Sequence, residues 1–344
     1  MSKASDTFQL KNHTLKNRIA MLPVMCFSFQ TNNKGEDYYF DDHIIHYTKI
    51  AKGGPGLIIV QGTNVKGIED NTYNWTPGSR KALTRIAEII KANDVVAMIQ
   101  LSWGGDRETD LNAVSTEFLK QKQDNLLKGI LAVHEMGYDG VEIHLGHGFL
   151  LAKMFDKVQN QRTDCYGGPL ENRSRVITEV IAEARKTVGE DFIISARIGA
   201  FLPDLETGIE TAKYLEANGV DMFDVTYVMT PPEIDLPDDF ILSPVAYAGS
   251  LIKDAVNVPI IGCFGLNDKE KVEFILENDF ADIAGVARGI LADYDFPKGV
   301  LIDAPYMPCM GCKKCFWYTE DHTNCPARIN AAKQMFDFDR PERG

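Results

Sequence analysis

The sequence has no apolar run near the ~18 residues that a membrane-spanning helix needs, and residues 1–12 lack the apolar core of a secretion signal. Both absences make the cytoplasm the expected compartment and give no reason to expect a membrane partner. Basic residues are also scarce: 36 Lys and Arg stand against 49 Asp and Glu, a formal charge of −13. That balance argues against a general nucleic-acid binder, which gains affinity by neutralising phosphates, but not against a local basic pocket. Internal repeats and low-complexity segments are missing. So is any G-x-G-x-x-G turn, which disfavours an open dinucleotide-binding sheet. What is present, 344 residues with 44% hydrophobic and 25% charged side chains, fits a soluble globular chain long enough to bury a core.

Eight short apolar runs, at 19–23, 56–61, 95–101, 140–144, 193–197, 222–226, 259–262 and 283–286, alternate with enough chain for a helix after each. The segment after the fourth run places Val176, Ile177, Val180, Ile181, Ala184 and Val188 at helical spacing. Pro169 can open that helix and Gly219 can end a later one. Eight such units predict an α/β fold, a closed (β/α)8 TIM barrel over residues 1–305. Residues 306–344 follow as a short cysteine-rich extension.

In such a barrel the carboxyl ends of the strands converge on one site. The residues there are Met25 and Cys26, the segment 61–63, Gln100, His144 with His147, Arg197, Thr226 with Tyr227, Gly265 and Arg288. Gln100 and Arg197 follow runs of barrel-interior type, where an unpaired polar group is costly. A ligand rich in carbonyls and ring nitrogens would satisfy both. Gly262-Cys-Phe-Gly265 and Ala287-Arg-Gly289 follow the last two strands, the usual place for a phosphate site built from backbone amides, with Arg288 adding a charge-assisted contact. Taken alone, the two histidines could be packed polar groups, and Arg162 with Asp164 reads as a pair that fixes its loop. Segments 64–79, 103–114 and 229–240 are expected to shape the pocket.

These residues fall within a longer series of motifs: Leu15-Lys-Asn-Arg-Ile19, Gly56-Leu-Ile-Ile59 with Gly62-Thr63, Gln100-Leu101, Gly140-Val-Glu-Ile-His144 with His147-Gly148, Arg162-Thr-Asp164, Tyr166-Gly-Gly168, Leu170-Glu-Asn-Arg173, Arg197 and Leu291-Ala-Asp293. In this order and spacing the chain resembles the Old Yellow Enzyme family of FMN-dependent NAD(P)H:flavin oxidoreductases over nearly its whole length. The resemblance implies an FMN across the carboxyl end of the barrel. Gln100 would contact its pyrimidine side and Arg197 its N1 and C2 oxygen. Gly62 would pack against the ring by backbone, and Met25, or Cys26 with a one-residue slip, would lie beside it. Gly265, Ala287 and Arg288 would hold the phosphate, Ala287 standing where a glycine is usual. His144 and His147 match the pair that binds the carbonyl oxygen of a small-molecule substrate, where two donors stabilise the charge that develops as hydride adds to a conjugated C=C bond. The family commonly has a proton-donating Tyr where this chain has Phe149, and a phenyl ring donates no proton. Tyr227 or water is then the expected donor.

Seven cysteines are present, and four fall close together: Cys309, Cys312 and Cys315 at spacings of three, then Cys325. In a cytosolic protein such a cluster reads as a metal site before disulfides. The C-x2-C-x2-C core suits a [4Fe-4S] cluster more than zinc, which is the alternative and more often pairs two C-x2-C units. A branch of the same family, resembling the barrel portions of trimethylamine dehydrogenase and 2,4-dienoyl-CoA reductase, carries such a cluster just after the barrel. Its members pass electrons onward from FMN and have a further nucleotide-binding region, which is not found before Gly344. A second electron carrier, a flavoprotein or ferredoxin, would then be another polypeptide.

Three functions compete. The leading one is hydride transfer from NAD(P)H to an electron-poor C=C bond. The second is an amine-type dehydrogenase draining electrons through the cluster to an external carrier, and the third is a non-catalytic electron-transfer subunit. The histidines favour the first, and Phe149 with the cysteines the second. Assembly into a homo-oligomer is left open.

Overall fold

The computed structural model describes residues 3–32, 35–104, 107–227, 234–319, 321–330 and 332. Strands β1 (Phe8–Leu10) and β2 (His13–Leu15) form an antiparallel hairpin; β3 (Ile19–Met21) then opens the barrel. Helices α1 (Phe27–Asn32) and α2 (Asp41–Gly53) lead to β4 (Leu57–Asn64), α3 (Pro77–Ala92) to β5 (Val96–Ser102), and α4 (Thr116–Glu135) to β6 (Gly140–Leu145). Next come α5 (Leu150–Phe155), α6 (Leu170–Val188), β7 (Ile193–Gly199), α7 (Leu205–Ala217), β8 (Met222–Thr226), α8 (Pro244–Lys253), β9 (Ile260–Gly262), α9 (Lys269–Glu277) and β10 (Ile283–Val286). The short α10 (Arg288–Ala292) and α11 (Phe296–Ile302) follow. The eight strands β3 to β10 run parallel and close on themselves, β10 pairing with β3. All eight expected runs are strands, within a few residues at their ends.

Helix starts follow local chemistry. Thr76, Ser115, Asp204, Ser243 and Asp268 each cap a helix by accepting a backbone N–H with the side chain. The six apolar residues expected along α6 are all buried against the barrel. A second, smaller core fills the barrel itself, where Leu57, Val96, Ile193, Met222 and Ile283 meet Leu10 and Leu15 of the hairpin. The hairpin thus plugs the amino end of the barrel. Three aspartates tie that end together: Asp139, Asp221 and Asp282, just before β6, β8 and β10, accept the backbone N–H of Ala97, Ile194 and Ile260 at 2.8–2.9 Å. With one end plugged and pinned, the carboxyl end is left to form a cavity.

The cysteine-bearing segment does not stand apart from the barrel. Trp317 is buried within the main core, stacked near His46 and His322. Arg328 lies over the rings of Trp317 and Tyr294 and donates to the Leu291 carbonyl at 2.7 Å. Residues 320, 331 and 333–344 of the expected extension lie outside the described residues. Among the described residues, no helix is long and apolar enough to cross a membrane.

Candidate active site

The strand register assembles the floor of the cavity. Gln100 on β5 stands opposite Glu142 on β6, His144 opposite Arg197 on β7, and Arg197 opposite Asp224 on β8. All five are buried. Gln100 donates to Glu142 Oε1 at 2.7 Å, and Arg197 Nε lies 3.2 Å from Asp224 Oδ2, an ion contact without hydrogen-bond alignment. Gln100 and Arg197, expected to wait for a ligand as unpaired groups, therefore have partners in the barrel. Burial, and then Asp224, push the Glu142 carboxyl up to about 8 against the pull of Arg197 and Gln100. Burial also raises Asp224. Arg197 stays charged, since Asp224 and its other neighbours outweigh the downward effect of burial.

Above this floor opens a cavity of about 960 Å³, a size that suits a cofactor and substrate together. Met25, Gly62, Gln100, His144, His147, Arg197, Tyr227, Gly265, Ala287 and Arg288 all line it, so these expected residues are brought together, whereas Gln61, Thr63 and Thr226 do not reach its wall. Met25, not Cys26, faces the cavity; Cys26 is buried behind it, 3.8 Å from His46 Nε2. A Cβ on Gly62 would come within 3.0 Å of Gln100 Oε1, so glycine keeps the backbone open beside the floor. Gly265 has φ +100, and Phe264 before it has φ +73, unusual for a bulky residue and a local strain in the loop that turns its backbone toward the cavity. Of the expected pocket segments, Asn64, Asn74, Gly104 and Arg107 reach the wall; residues 105–106 of the second and 229–233 of the third lie outside the described residues.

The two histidines are linked rather than free. His144 Nε2 lies 2.8 Å from His147 Nδ1, and His147 Nε2 lies 2.9 Å from Thr226 Oγ1. His147 is held in a left-handed turn, φ +59, by its backbone N–H to the Tyr227 carbonyl at 3.2 Å. Burial, then Arg197 and Arg107, push His147 down to about 3; burial and the His147 ring push His144 well below its ordinary range. Both rings are neutral at neutral pH. Arg162 and Asp164 form an ion pair at 2.5 Å, and Arg162 also donates to the Leu111 and Val114 carbonyls, so they fix their loop as expected.

Cys309, Cys312, Cys315 and Cys325 line one small cavity beside Trp317, and Arg288 borders both this cavity and the large one. Among the described residues, no three His, Cys, Asp or Glu side chains gather closely enough to hold a single metal ion. Among the residues of the large site missed from sequence, Glu142 and Asp224 each carried a signal, a charge inside an apolar strand, and Tyr318 carried none; Arg107 and Cys263 lay in segments expected to border the site without being singled out.

A family model described as the NADH:flavin oxidoreductase / NADH oxidase family matches residues 6–125 and 112–301. A metal reductase from Desulforamulus reducens is 30% identical over 89% of this chain, which covers 50% of that protein. An NADPH dehydrogenase from Listeria innocua is 28% identical over 89% of this chain and 98% of its own length. Among solved structures, 2-naphthoyl-CoA reductase in complex with 2-naphthoyl-CoA superposes with a TM-score of 0.80 at 23% identity, over 95% of this chain and 57% of that one. The chain thus spans about half of the metal reductase and 57% of the 2-naphthoyl-CoA reductase, and at 23% identity the superposition speaks for the fold alone. The family match extends through nearly all of the barrel, and with it the residues at the strand ends: the chain belongs to the NADH:flavin oxidoreductase / NADH oxidase family.

Proposed function

We propose that the chain is an FMN-dependent oxidoreductase that takes hydride from NAD(P)H and reduces an electron-poor C=C bond of a small molecule. The observation that carries this reading is one cavity with Gln100 and Arg197 in its floor, the glycine-rich loops and Arg288 at one side, and the linked histidines at the other. Gln100, Arg197, Gly62 and Met25 would hold the flavin ring, and Gly265, Ala287 and Arg288 its phosphate. The fit is physical: Arg197 donates no hydrogen bond among the described residues, and Glu142 Oε2 beneath it has no partner, so the floor keeps hydrogen-bonding capacity in reserve. Bound FMN would supply hydride transfer between the nicotinamide and the substrate carbon.

The chain's own residues would then stabilise charge on the substrate oxygen. A carbonyl oxygen seated between His144 Nε2 and His147 Nδ1 would replace the bond between the rings with an N–H from each. Donation by the Thr226 hydroxyl to His147 Nε2 leaves that ring's proton on Nδ1, facing the oxygen. Tyr227 lines the same cavity next to His147 and would deliver the proton to the α-carbon, the task that Phe149 cannot perform.

A [4Fe-4S] cluster is our reading of the second cavity. The four thiols line one cavity, and the C-x2-C-x2-C spacing of three of them suits the corners of a cluster more than zinc, which more often pairs two C-x2-C units. The shared border at Arg288 supports the second function, an amine-type dehydrogenase or electron-transfer subunit passing electrons to an external flavoprotein or ferredoxin.

The experiment is anaerobic titration of the purified protein. The first reading expects flavin bands that bleach with stoichiometric NAD(P)H and return on adding an enone, with iron and acid-labile sulfide at about four each per chain. Bleaching by an amine and not by NAD(P)H would replace it with the second.

A further inference from the structure

Phe149 removes a proton donor, and the structure gives its ring another partner. The guanidinium of Arg107 lies 4.5 Å from the Phe149 centroid, over the ring face. The same ring meets the edge of His144 at 5.2 Å. Arg107 is therefore held one aromatic ring away from the pair read above as the oxygen-binding site. Lys153 pins the loop, donating to the Arg107 carbonyl and, at 3.4 Å, to the Thr109 carbonyl.

The surroundings of this cation are unusual for so acidic a chain. Among the described residues, three arginines line the large cavity and no aspartate or glutamate does. Arg197 has Asp224 against it, and Arg288 sits at the glycine-rich loops. Arg107 faces no carboxylate and donates no side-chain hydrogen bond among the described residues. Its influence reaches both histidines, each of which it helps to keep uncharged. A cation beside two neutral donors, in a wall whose described residues include no acid, is a setting for a ligand with a neutral oxygen at one end and a negative charge at the other.

We propose that this site takes substrates whose C=C bond is conjugated to a carbonyl and which carry a second group, a carboxylate, received by Arg107. The inference rests on the reading of His144 and His147 as the oxygen-binding pair and adds the charge class of the substrate. Phe149 then serves as a platform that positions Arg107 through a cation–π contact.

The test is calorimetric binding to the FMN-loaded full chain, with a saturated 4-oxo acid such as 4-oxopentanoate and its uncharged methyl ester. The acid is expected to bind roughly tenfold more tightly than the ester at low salt, the size of one charge-assisted contact. The preference should shrink as salt is raised. Arg107→Met should abolish it and Arg107→Lys should keep most of it. Equal affinity of acid and ester for the unmodified chain overturns the proposal, as does a preference that survives Arg107→Met. The other source of negative charge at this spot is a phosphate of the nicotinamide co-substrate, so NADPH and NADH are titrated into the same variants. Weaker NADPH binding by Arg107→Met with an unchanged acid-to-ester ratio assigns Arg107 to the co-substrate and rejects the proposal. Failure of the oxygen-pair reading shows separately: His147→Gln would then weaken neither ligand, while the acid-to-ester ratio still reports on Arg107.

Discussion

At the scale of single residues, the least visible part of the site is its floor. Gln100 and Arg197 stood out in the sequence as polar groups at strand ends, but their partners did not. Glu142 and Asp224 lie inside the apolar strings Gly-Val-Glu-Ile-His and Met-Phe-Asp-Val-Thr, and only the register of neighbouring strands brings each opposite its mate. Because burial pushes Glu142 up to about 8, its carboxyl is mostly uncharged at neutral pH, and the Gln100 amide donates to its oxygen. Glu142→Gln, which keeps a neutral carbonyl oxygen in place, is expected to leave thermal stability within about 0.5 kcal/mol. Glu142→Leu leaves the buried Gln100 amide without its acceptor and should cost roughly 1–3 kcal/mol. Thermal unfolding of both variants checks the contrast; equal losses would mean that the charge, not the oxygen, is what the floor requires.

Among the elements, what was legible and what was not divides by length and pattern. The eight barrel strands announce themselves as apolar runs because both faces of each are buried. The hairpin of β1 and β2 does not: three residues per strand, with only Leu10 and Leu15 buried at their ends, make no alternation long enough to read. Yet it closes the barrel. The aspartates before β6, β8 and β10 were equally silent, since an acidic residue ahead of a strand looks like an ordinary loop residue. In the structure each holds the start of the preceding strand's backbone, and Asp139 also pairs with Lys91 at 2.8 Å. Asp139→Ala should remove a charge-assisted bond to the Ala97 N–H and destabilise the fold by roughly 2 kcal/mol. Chemical denaturation measures this, and a variant as stable as the parent would show that water replaces the carboxylate at no cost.

Across the whole molecule, the histidines couple the pieces to one another and to pH. His43 and His46 lie on α2, His144 and His147 at the end of β6 and the turn after it, and His322 in the cysteine-bearing segment. Burial is the first cause of lowered pKa in all five; it brings His43 and His147 down to about 3 and His46 and His144 well below 6.5. Below pH 6.5 the unfolded chain therefore takes up protons that the folded chain refuses, and stability falls as pH falls. Each histidine contributes up to about 1.4 kcal/mol per pH unit, and the loss continues toward its folded-state value. Glu142 acts in the opposite sense. Its raised pKa favours the fold at low pH and loses that contribution as pH rises from 4.5 through about 8. Asp224, also raised by burial, acts in the same sense as Glu142, and these two carboxyls against five histidines place the maximum of stability near pH 7, with a steep acid limb and a shallow basic one. Urea unfolding followed between pH 5 and pH 8 should show that asymmetry, and a profile flat from pH 7 to pH 5 would refute it. His43→Phe keeps an aromatic ring among Phe29, Tyr39 and Phe40 while removing one titrating group. The acid limb of that variant should be shallower by one proton.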